Sequence, residues 1–369
     1  MSEIAATASA ERQFPCTRCG AKLEFGPGTD SLICPYCGTK NAIAASGAEV
    51  PLLDFLVYTG QTAGVVETHE ELVVHCGNCA AETHLAKDVT SGRCAFCGAP
   101  VVAEAQSRKL IKPAGLLPFI VNKAQGNALF RKWIGGLYFA PGDLSKRADQ
   151  AGIDGAYVPC WTYNADAQTS YTGLRGDDYT TTETYTETVN GRSEERTRTV
   201  THTRWSNVSG NVRNDFRDVM VLATQSLPPK VADHLQPWDL AHIVPYADEY
   251  LSGMTCQSYQ IDLGHGFEQA KGIMAGTIQQ TIAQDIGGDH QQISSVDSRY
   301  SEIRFRHLLL PLWISAYHYN GKTFRFLVNA RTGAVRGERP YSAIKIVGFV
   351  AALIAAIVII GAIFGHLRT

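Results

Sequence analysis

Eight of the ten cysteines in this chain fall into four Cys-x-x-Cys pairs with the spacing of metal sites. Fourteen residues separate the first pair from the second and the third from the fourth, and the second set repeats the first at an offset of sixty residues. The eight cysteines are Cys16, Cys19, Cys34, Cys37, Cys76, Cys79, Cys94 and Cys97. Two pairs supply the four thiolates of a closed tetrahedral site, the geometry that structural zinc prefers. The sequence therefore predicts two zinc ribbons that hold two structural Zn²⁺ ions.

Other cysteine chemistries fit this pattern less well. Disulfides are rare in cytoplasmic domains, iron–sulfur clusters use other cysteine spacings, and a redox dithiol needs one pair rather than four. Four protein ligands leave no open position for an activated water, so hydrolysis at either zinc is not expected. Gly20, Gly38 and Gly98 directly follow three of the pairs, where the backbone must fold back beneath the metal. Because the cysteines suffice, His75 and His84 are not predicted as ligands.

The two ribbons differ in charge, which indicates different partners. Residues 11–40 carry four basic and three acidic side chains, whereas residues 67–104 carry two basic and six acidic ones. A nucleic-acid backbone requires an excess of Arg and Lys, so the second ribbon is expected to bind protein. Arg12, Arg18 and Lys22 beside the first ribbon leave nucleic acid open as the alternative partner.

An uncharged apolar run predicts a transmembrane helix over residues 343–365. The run from Ile346 to Phe364 is nineteen residues long and spans roughly 28 Å as a helix, which matches the hydrocarbon core of a lipid bilayer. Small residues four positions apart, such as Gly348 and Ala352, permit close helix pairing, so the sequence is also compatible with a homo-oligomer.

The flanks of this run predict its orientation. The basic residues that precede it are Arg331, Arg336, Arg339 and Lys345, whereas His366 and Arg368 follow it. Cytoplasmic flanks carry the excess of Arg and Lys, so the bulk of the chain is expected in the cytoplasm, on a single-pass tail anchor in the cytoplasmic (inner) membrane. Residues 1–15 lack the basic and apolar regions of a signal peptide.

The fold class predicted is α+β: two N-terminal zinc ribbons, a mixed α/β-hairpin domain and one C-terminal transmembrane helix. The predicted ranges are a disordered segment at 1–13, zinc ribbon 1 at 14–45, a linker at 46–66, zinc ribbon 2 at 67–104, a linker at 105–117, the α+β domain at 118–340 and the transmembrane helix at 343–365. Within the first linker, the apolar run Val50 to Tyr58 is expected either to pack the ribbons together or to dock a partner.

Residues 177–205 predict a long β-hairpin with Asn190-Gly191 as its two-residue turn. This turn places Val189 opposite Arg192, so that Glu183 faces Arg198 and Tyr185 faces Arg196, although Glu187 then faces Glu194. The hairpin has almost no apolar face, which favours a solvated protrusion over an edge that meets a partner.

Helices and strands alternate in the rest of the domain. Helices are predicted after Asn122, after Pro228 and over 267–286, and a second hairpin turns at Asn320-Gly321. Two segments combine a strand, a proline and a tryptophan, namely Val158-Pro159-Cys160-Trp161 and Leu310-Pro311-Leu312-Trp313. Their likeness indicates an internal duplication of an α+β unit.

No catalytic motif stands out in the sequence. The GxxxxGK[ST] phosphate loop and the HExxH zinc motif are both absent. Cys160 and Cys256 lie beside apolar residues, as core cysteines do. The polar segments 175–178 and 285–290 contain Asp and His that are compatible with a metal, but a turn and a helix C-cap explain them equally well. The chain is therefore predicted not to be an enzyme.

Several motifs together resemble a known group of proteins. They are the paired ribbons, Val158-Pro159-x-Trp161-x-Tyr163, Tyr171-x-Gly173-x-Arg175-Gly176, Ser226-Leu227-Pro228, Leu310-Pro311-x-Trp313, Tyr319-x-Gly321-Lys322, Asn329-x-x-Thr332-Gly333 and the closing apolar run. The chain is similar to bacterial membrane-anchored proteins with paired TFIIB-type zinc ribbons, which are often labelled as relatives of the primosomal replication helicase on the strength of the ribbons alone. The absent phosphate loop argues against helicase activity.

The resemblance implies a role at the membrane. Some similar proteins are encoded beside flotillin-like and phage-shock-type membrane proteins, which suggests membrane stress or membrane organisation. The expectation is a non-enzymatic adaptor whose ribbons recruit membrane-associated proteins at the cytoplasmic face. The alternative is a membrane-tethered nucleic-acid-binding protein linked to replication.

Overall fold

The computed structural model describes residues 14–44, 47–62, 64, 66–84, 91–102, 106–144, 152–189, 192–227 and 235–366. This part of the chain is α+β and consists mostly of β-sheet. The predicted disorder of residues 1–13, the hairpin turn at Asn190-Gly191 and the helix after Pro228 lie outside the described residues.

The described part of the chain forms seventeen β-strands. Those of the small N-terminal sheets are β1 (Glu24–Phe25), β2 (Ser31–Ile33), β3 (Lys40–Ala42), β5 (Thr68–His75), β6 (Glu82–His84), β7 (Ser91–Arg93), β8 (Pro100–Val102) and β9 (Gln106–Ile111). Those of the central sheet are β4 (Leu53–Asp54), β10 (Gly115–Leu116), β11 (Asp154–Val189), β12 (Arg192–Leu222), β13 (Val244–Pro245), β14 (Thr255–Cys256), β15 (His290–Tyr319), β16 (Lys322–Asn329) and β17 (Val335–Gly337).

The α-helices of the described chain are α1 (Phe55–Tyr58), α2 (Lys123–Gly135), α3 (Leu263–Ile286) and α4 (Ala343–His366). Two short 3₁₀ turns occupy Leu240–His242 and Asp248–Leu251. The helix predicted after Asn122 is confirmed as α2, because Asn122 accepts a hydrogen bond from the Gln125 amide at 2.9 Å and Gln125 completes the capping box.

The central sheet is built around β11. This strand of 36 residues pairs antiparallel with β12 on one edge and with β15 on the other. At about 3.3 Å per residue, β11 extends for roughly 120 Å, far beyond the packed core. The three strands run together as far as the pair Gly176 and His290, and beyond that pair β11 and β12 continue alone. We call this projection, residues 165–216 and 290–303, the arm.

The predicted hairpin register is confirmed. Val189 pairs with Arg192, Glu183 with Arg198, and Tyr185 with Arg196. Side chains from Asp178 to Glu187 are exposed, and the outer part of the arm projects beyond the packed core. Surface ion pairs such as Arg198 to Glu183 at 2.9 Å contribute little stability, which leaves the backbone ladder as its main support.

The long helix α3 covers one face of the inner arm, and its N-terminus is capped by Asp262. The predicted helix over 267–286 is thus confirmed and extended by one turn. Its buried residues lie four apart, at Ala270, Met274, Ile278, Ile282 and Ile286. They pack on Tyr163, Tyr171 and Phe216 of the sheet. Ile273, which is apolar like the buried residues, is 56% exposed, because it lies beside the row of buried side chains that recur every four residues.

The tryptophans of the two Pro-x-Trp segments make equivalent contacts. The Trp161 indole nitrogen donates to the Ile261 carbonyl at 2.8 Å, and the Trp313 indole nitrogen donates to the Val121 carbonyl at 2.8 Å. Each carbonyl directly precedes a helix N-cap, Asp262 for α3 and Asn122 for α2. Each indole therefore fixes the start of a helix on the sheet.

The surroundings of the two indoles also correspond. Three residues before each N-cap, an aromatic ring contacts the indole: Phe119 lies 5.2 Å from Trp313 and Tyr259 lies 5.0 Å from Trp161, measured between ring centroids. Four residues after each cap stands a glycine, Gly126 or Gly266. A Cβ there would lie 3.2 Å from Trp313 Cδ1 or 2.8 Å from Trp161 Cδ1. A Cβ at either glycine would therefore crowd the indole, more severely at Gly266 than at Gly126.

Both ranges predicted as linkers contain elements of the central sheet. In the first, β4 pairs with β15, Asp54 caps α1, and Phe55 packs between Tyr163 and Phe267. The apolar run Val50 to Tyr58 therefore packs on the central sheet, and its first residue, Val50, also packs beside ribbon 2. In the second, β10 lies parallel to β15.

The start of α4 is attached to the loop that follows α2. The Ser342 amide donates to the Phe139 carbonyl at 2.8 Å, and the Lys345 ammonium donates to the Ala140 carbonyl at 2.8 Å. The rings of Phe139 and Phe349 lie 5.4 Å apart. Within the described chain, α4 is the one helix long and apolar enough to cross a membrane, and none of its candidate span is buried against the protein.

We predict opposite effects for two alanine substitutions in α3. Gly266→Ala lowers the melting temperature, because its Cβ would lie 2.4 Å from the Tyr163 hydroxyl oxygen. Gly272→Ala has nothing within 4 Å of its Cβ and should raise stability by up to about 1 kcal/mol through helix propensity. Thermal unfolding of both purified variants tests this, and equal shifts in one direction would contradict the proposed indole contact.

Candidate metal centres

Four zinc-knuckle turns share one backbone pattern. In each, the amide of the first cysteine donates to the carbonyl five residues on, and the amide four residues on donates back to that cysteine's carbonyl. In the first knuckle these bonds are Cys16 to Ala21 at 2.7 Å and Gly20 to Cys16 at 2.9 Å. The turn brings both thiols of a Cys-x-x-Cys pair to the same side of the backbone.

The knuckles pair to form two clusters, each made of the four cysteines predicted from the sequence. All four sulfurs of a cluster lie within 4.8 Å of one another. In the first cluster Cys16 and Cys37 are 3.6 Å apart and Cys19 and Cys34 are 3.5 Å apart. In the second, both corresponding distances are 3.6 Å.

These distances fit a tetrahedral metal site. A Zn–S bond of about 2.3 Å implies sulfurs about 3.8 Å apart in a tetrahedron, whereas a disulfide bond is about 2.0 Å long. All eight thiols are free, and seven of them are buried or partly buried. The clusters are therefore compatible with two zinc ions, one in each ribbon.

Hydrogen bonds lower the pKa of three of the cluster thiols, whereas the hydrogen bond with Cys94 raises the pKa of Cys79 and burial raises that of Cys76. The Thr39 hydroxyl, 3.1 Å from Cys37, lowers the pKa of that thiol to about 6, and the Arg18 amide lowers the pKa of Cys16. In the second cluster, the hydrogen bond from Cys79 lowers the pKa of Cys94 to about 5. A metal ion would displace the protons that remain on the other thiols.

Ala80 takes the place of a glycine in the third knuckle. The residues after the other pairs, Gly20, Gly38 and Gly98, have φ between 70° and 74°, and Ala80 also has a positive φ of 57°. An L-residue in this left-handed region is disfavoured by about 1 kcal/mol. The second ribbon therefore carries backbone strain that the first lacks, and the missing glycine after Cys79 is the sequence signal for it.

We predict that Ala80→Gly stabilises the second ribbon by roughly 1 kcal/mol and slows its loss of metal to a chelator. Gly38→Ala is the matched reverse change, since its Cβ would have nothing within 4 Å and only the positive φ opposes it. Zinc release measured with a chromogenic chelator should be slowed by the first substitution and accelerated by the second. Unchanged rates in both variants would show that the positive φ carries no strain.

The second ribbon is docked into the central domain. The Ser258 amide donates to the Glu82 carbonyl at 3.0 Å, and Thr83 bridges to Gln257. The Gln260 amide nitrogen donates to the carbonyl of Ala80, so the strained knuckle itself is held. Phe96, at the tip of the fourth knuckle, is completely buried with Leu227, Leu235 and Trp238.

The first ribbon docks differently. The Phe25 amide donates to the Ser252 carbonyl at 2.9 Å, and the Phe25 and Tyr250 rings lie 5.2 Å apart. Its second knuckle points away from the domain: Tyr36, the counterpart of Phe96 at the sixty-residue offset, is 84% exposed. The sequence shows an aromatic residue in both positions, but which of the two is buried depends on the docking and has no local signal.

The other candidate residues named from the sequence do not add a further metal centre among the described residues. Cys160 is completely buried, and burial raises the pKa of its thiol well above the usual range. The segments 175–178 and 285–290 do meet, with His290 Nε2 3.1 Å from an Asp178 carboxylate oxygen. Among the described residues, only the two cysteine clusters gather three or more ligands within metal-binding distance.

Comparison with known proteins reveals a distant relative. Over 340 residues, covering 90% of this chain and 91% of the other, the chain is 23% identical to the uncharacterised protein YdjG of Bacillus subtilis strain 168. No family model matches the chain. No solved structure matches it either.

Proposed function

We propose that this protein is a non-enzymatic, membrane-anchored adaptor that recruits membrane-associated proteins through its zinc ribbons. The observation that carries the proposal is the exposure of Tyr36 on a metal-stabilised knuckle of ribbon 1. Its counterpart Phe96 is used inside the protein to fasten ribbon 2. The same knuckle geometry thus serves an internal contact in one ribbon and is available for an external contact in the other.

In this proposal the two ribbons have different roles. Ribbon 2 is fixed to the sheet by Ala80, Glu82 and Phe96 and acts as part of the scaffold. Ribbon 1 presents an exposed tyrosine, and tyrosine is enriched among the residues that dominate binding energy. The zinc ion in ribbon 1 keeps the tyrosine in place.

The membrane anchor supports a recruiting role. α4 would confine the protein to a thin layer beside the cytoplasmic membrane, with the ribbons and arm in the cytoplasm. Confinement raises the effective concentration of the ribbon towards other membrane-bound proteins, so a weak contact suffices. Flotillin-like or phage-shock-type assemblies are the partners that the family resemblance suggests, which places the adaptor in membrane stress or membrane organisation.

The scaffold itself is proposed to be an internal duplication. The corresponding contacts of Trp161 and Trp313, each at the start of a helix, support this origin. So do the glycines four residues after each N-cap, Gly126 and Gly266. In this view one copy comprises α2, β11 and β12, the other comprises α3, β15 and β16, and each tryptophan holds the helix of the other copy.

Nucleic acid remains the second candidate partner, favoured by the combination of an exposed aromatic ring with basic side chains. Arg18 and Lys40 are exposed on the same ribbon as Tyr36. Aromatic stacking together with basic side chains is the pattern by which proteins bind single-stranded nucleic acid. Such binding would weaken steeply with salt, which separates it from recognition of an apolar protein surface.

We predict that Tyr36→Ala removes most partner capture while leaving the fold intact. Crosslinked pull-downs from membranes should yield a defined set of proteins with the unmodified chain and several-fold less with the variant. Tyr185→Ala on the arm is the matched control, since Tyr185 is also exposed, at 40%. Both variants should retain two zinc ions, because neither side chain is part of a core cluster.

Binding of a purified captured protein then quantifies the contact. A central tyrosine contributes on the order of 2 kcal/mol to binding, so the Tyr36 variant should bind at least about tenfold more weakly. An unchanged protein set with Tyr36→Ala would remove ribbon 1 as the recruiting surface. Salt-sensitive capture of nucleic acid would instead favour the second candidate.

A further inference from the structure

Positive charge is concentrated on the part of the domain that adjoins α4. Residues 123–144 and 322–345 together carry nine basic and two acidic side chains, in a chain whose formal net charge is -2. These segments form one packed unit, since Phe130 of α2 lies 4.1 Å from Phe326 of β16 and Trp133 lies 5.3 Å from the same ring. We call this unit, residues 123–144 and 322–345, the base.

Some of these basic side chains bond to groups within the protein, and others are exposed to solvent. Arg331 pairs with Asp239 at 2.9 Å, and Arg325 donates to the Ser226 carbonyl at 2.9 Å. Lys132, Arg336 and Arg339 have exposed side chains that make no ion pair with a described acidic residue. The acidic residues of the base are Asp143, which accepts from the Tyr319 hydroxyl, and Glu338, which accepts from the Arg325 amide.

Exposed aromatic rings lie on the same unit. Tyr138 is 71% exposed and Tyr341 is 60% exposed, and the neighbouring Phe139 contacts Phe349 of α4. Phe349 stands six residues into the helix, about 9 Å below Ala343 along its axis. If α4 spans a bilayer, the loop that carries Tyr138 and Phe139 lies at headgroup depth, where tyrosine side chains are favoured.

We infer that the base is a binding surface for the anionic headgroups of the bilayer that α4 spans. The inference rests on the proposed membrane anchor and adds to it a defined orientation of the whole domain. Because Ser342 and Lys345 bond to the loop after α2, the base lies directly against the start of the anchor. Lys132, Arg336 and Arg339 supply the attraction, and Tyr138 and Tyr341 supply the interfacial contact.

The arm carries a net negative charge. This charge determines which end of the domain faces an anionic bilayer. Residues 177–204 carry six acidic and four basic side chains. Strand β15 begins in the arm and ends at Tyr319, which bonds to Asp143 of the base, so the arm and the base lie at opposite ends of this strand. An anionic bilayer therefore attracts the base and repels the arm, which points the arm into the cytoplasm.

The test uses the full chain in lipid nanodiscs of two compositions, phosphatidylcholine alone and phosphatidylcholine with phosphatidylglycerol. Backbone hydrogen exchange is measured by mass spectrometry for peptides covering residues 137–142 and 335–342. Exchange should slow by roughly tenfold in the anionic discs, and high salt should reverse the slowing, because the contact is electrostatic. Equal exchange in both discs would overturn the inference.

Two triple variants provide the matched comparison. Lys132→Gln, Arg336→Gln, Arg339→Gln removes the outward charges of the base and should abolish the difference between the discs. Arg196→Gln, Arg204→Gln, Arg213→Gln removes the same charge from the arm and should leave the difference intact. Protection that survives in the base variant, with both zinc ions still bound, would refute the assignment. A chain that enters neither kind of disc would instead refute the anchor on which the inference depends.

Discussion

The rest of the structure depends on the hydrogen-bond ladder of β11. One strand uses both of its edges, against β12 and against β15, so the two halves of the domain share a single backbone frame. If β11 shifted by one residue relative to its neighbours, each of its side chains would turn to the opposite face of the sheet. Tyr163 would then be exposed and Asp166 buried. The buried tryptophans resist such a slip, because Trp161 and Trp313 each hold a helix N-terminus at a fixed point along the ladder.

Both ribbons pack on this frame. A zinc ribbon is too small to build a core of its own and takes its stability from the metal. Here each ribbon also adds residues to the shared core, Phe25 from the first and Phe96 from the second. A metal bound in either cluster would therefore stabilise the packing of its ribbon on the domain, and in ribbon 2 the Gln260 amide also contacts the strained knuckle at the Ala80 carbonyl.

Local patterns were sufficient to predict the parts whose physics is local. The cysteine spacing predicted which sulfurs meet, and the Asn190-Gly191 turn predicted a register that holds for the pairs of the hairpin. Parts that depend on distant contacts could not be predicted in this way. The hairpin pattern did not reveal that β15 continues beside β11 for twenty-odd residues, and the apolar run at Val50 gave no sign that it packs on Phe305 and Phe267. Burial of Phe96 and exposure of Tyr36 likewise follow from docking, since both residues occupy the same place in one local motif.

The length of the arm gives the molecule a mechanical property. The β11–β12 ladder runs from the central sheet to the outer hairpin with one register irregularity, between Tyr163 and Ala165, so a small rotation at one end of this ladder of about 120 Å gives a large displacement at the other. A tilt of about 5° where the domain rests would move the far end by roughly 10 Å. A small rotation of the domain would thus be magnified, at the far end of the arm, into a movement as large as the spacing between two packed sheets.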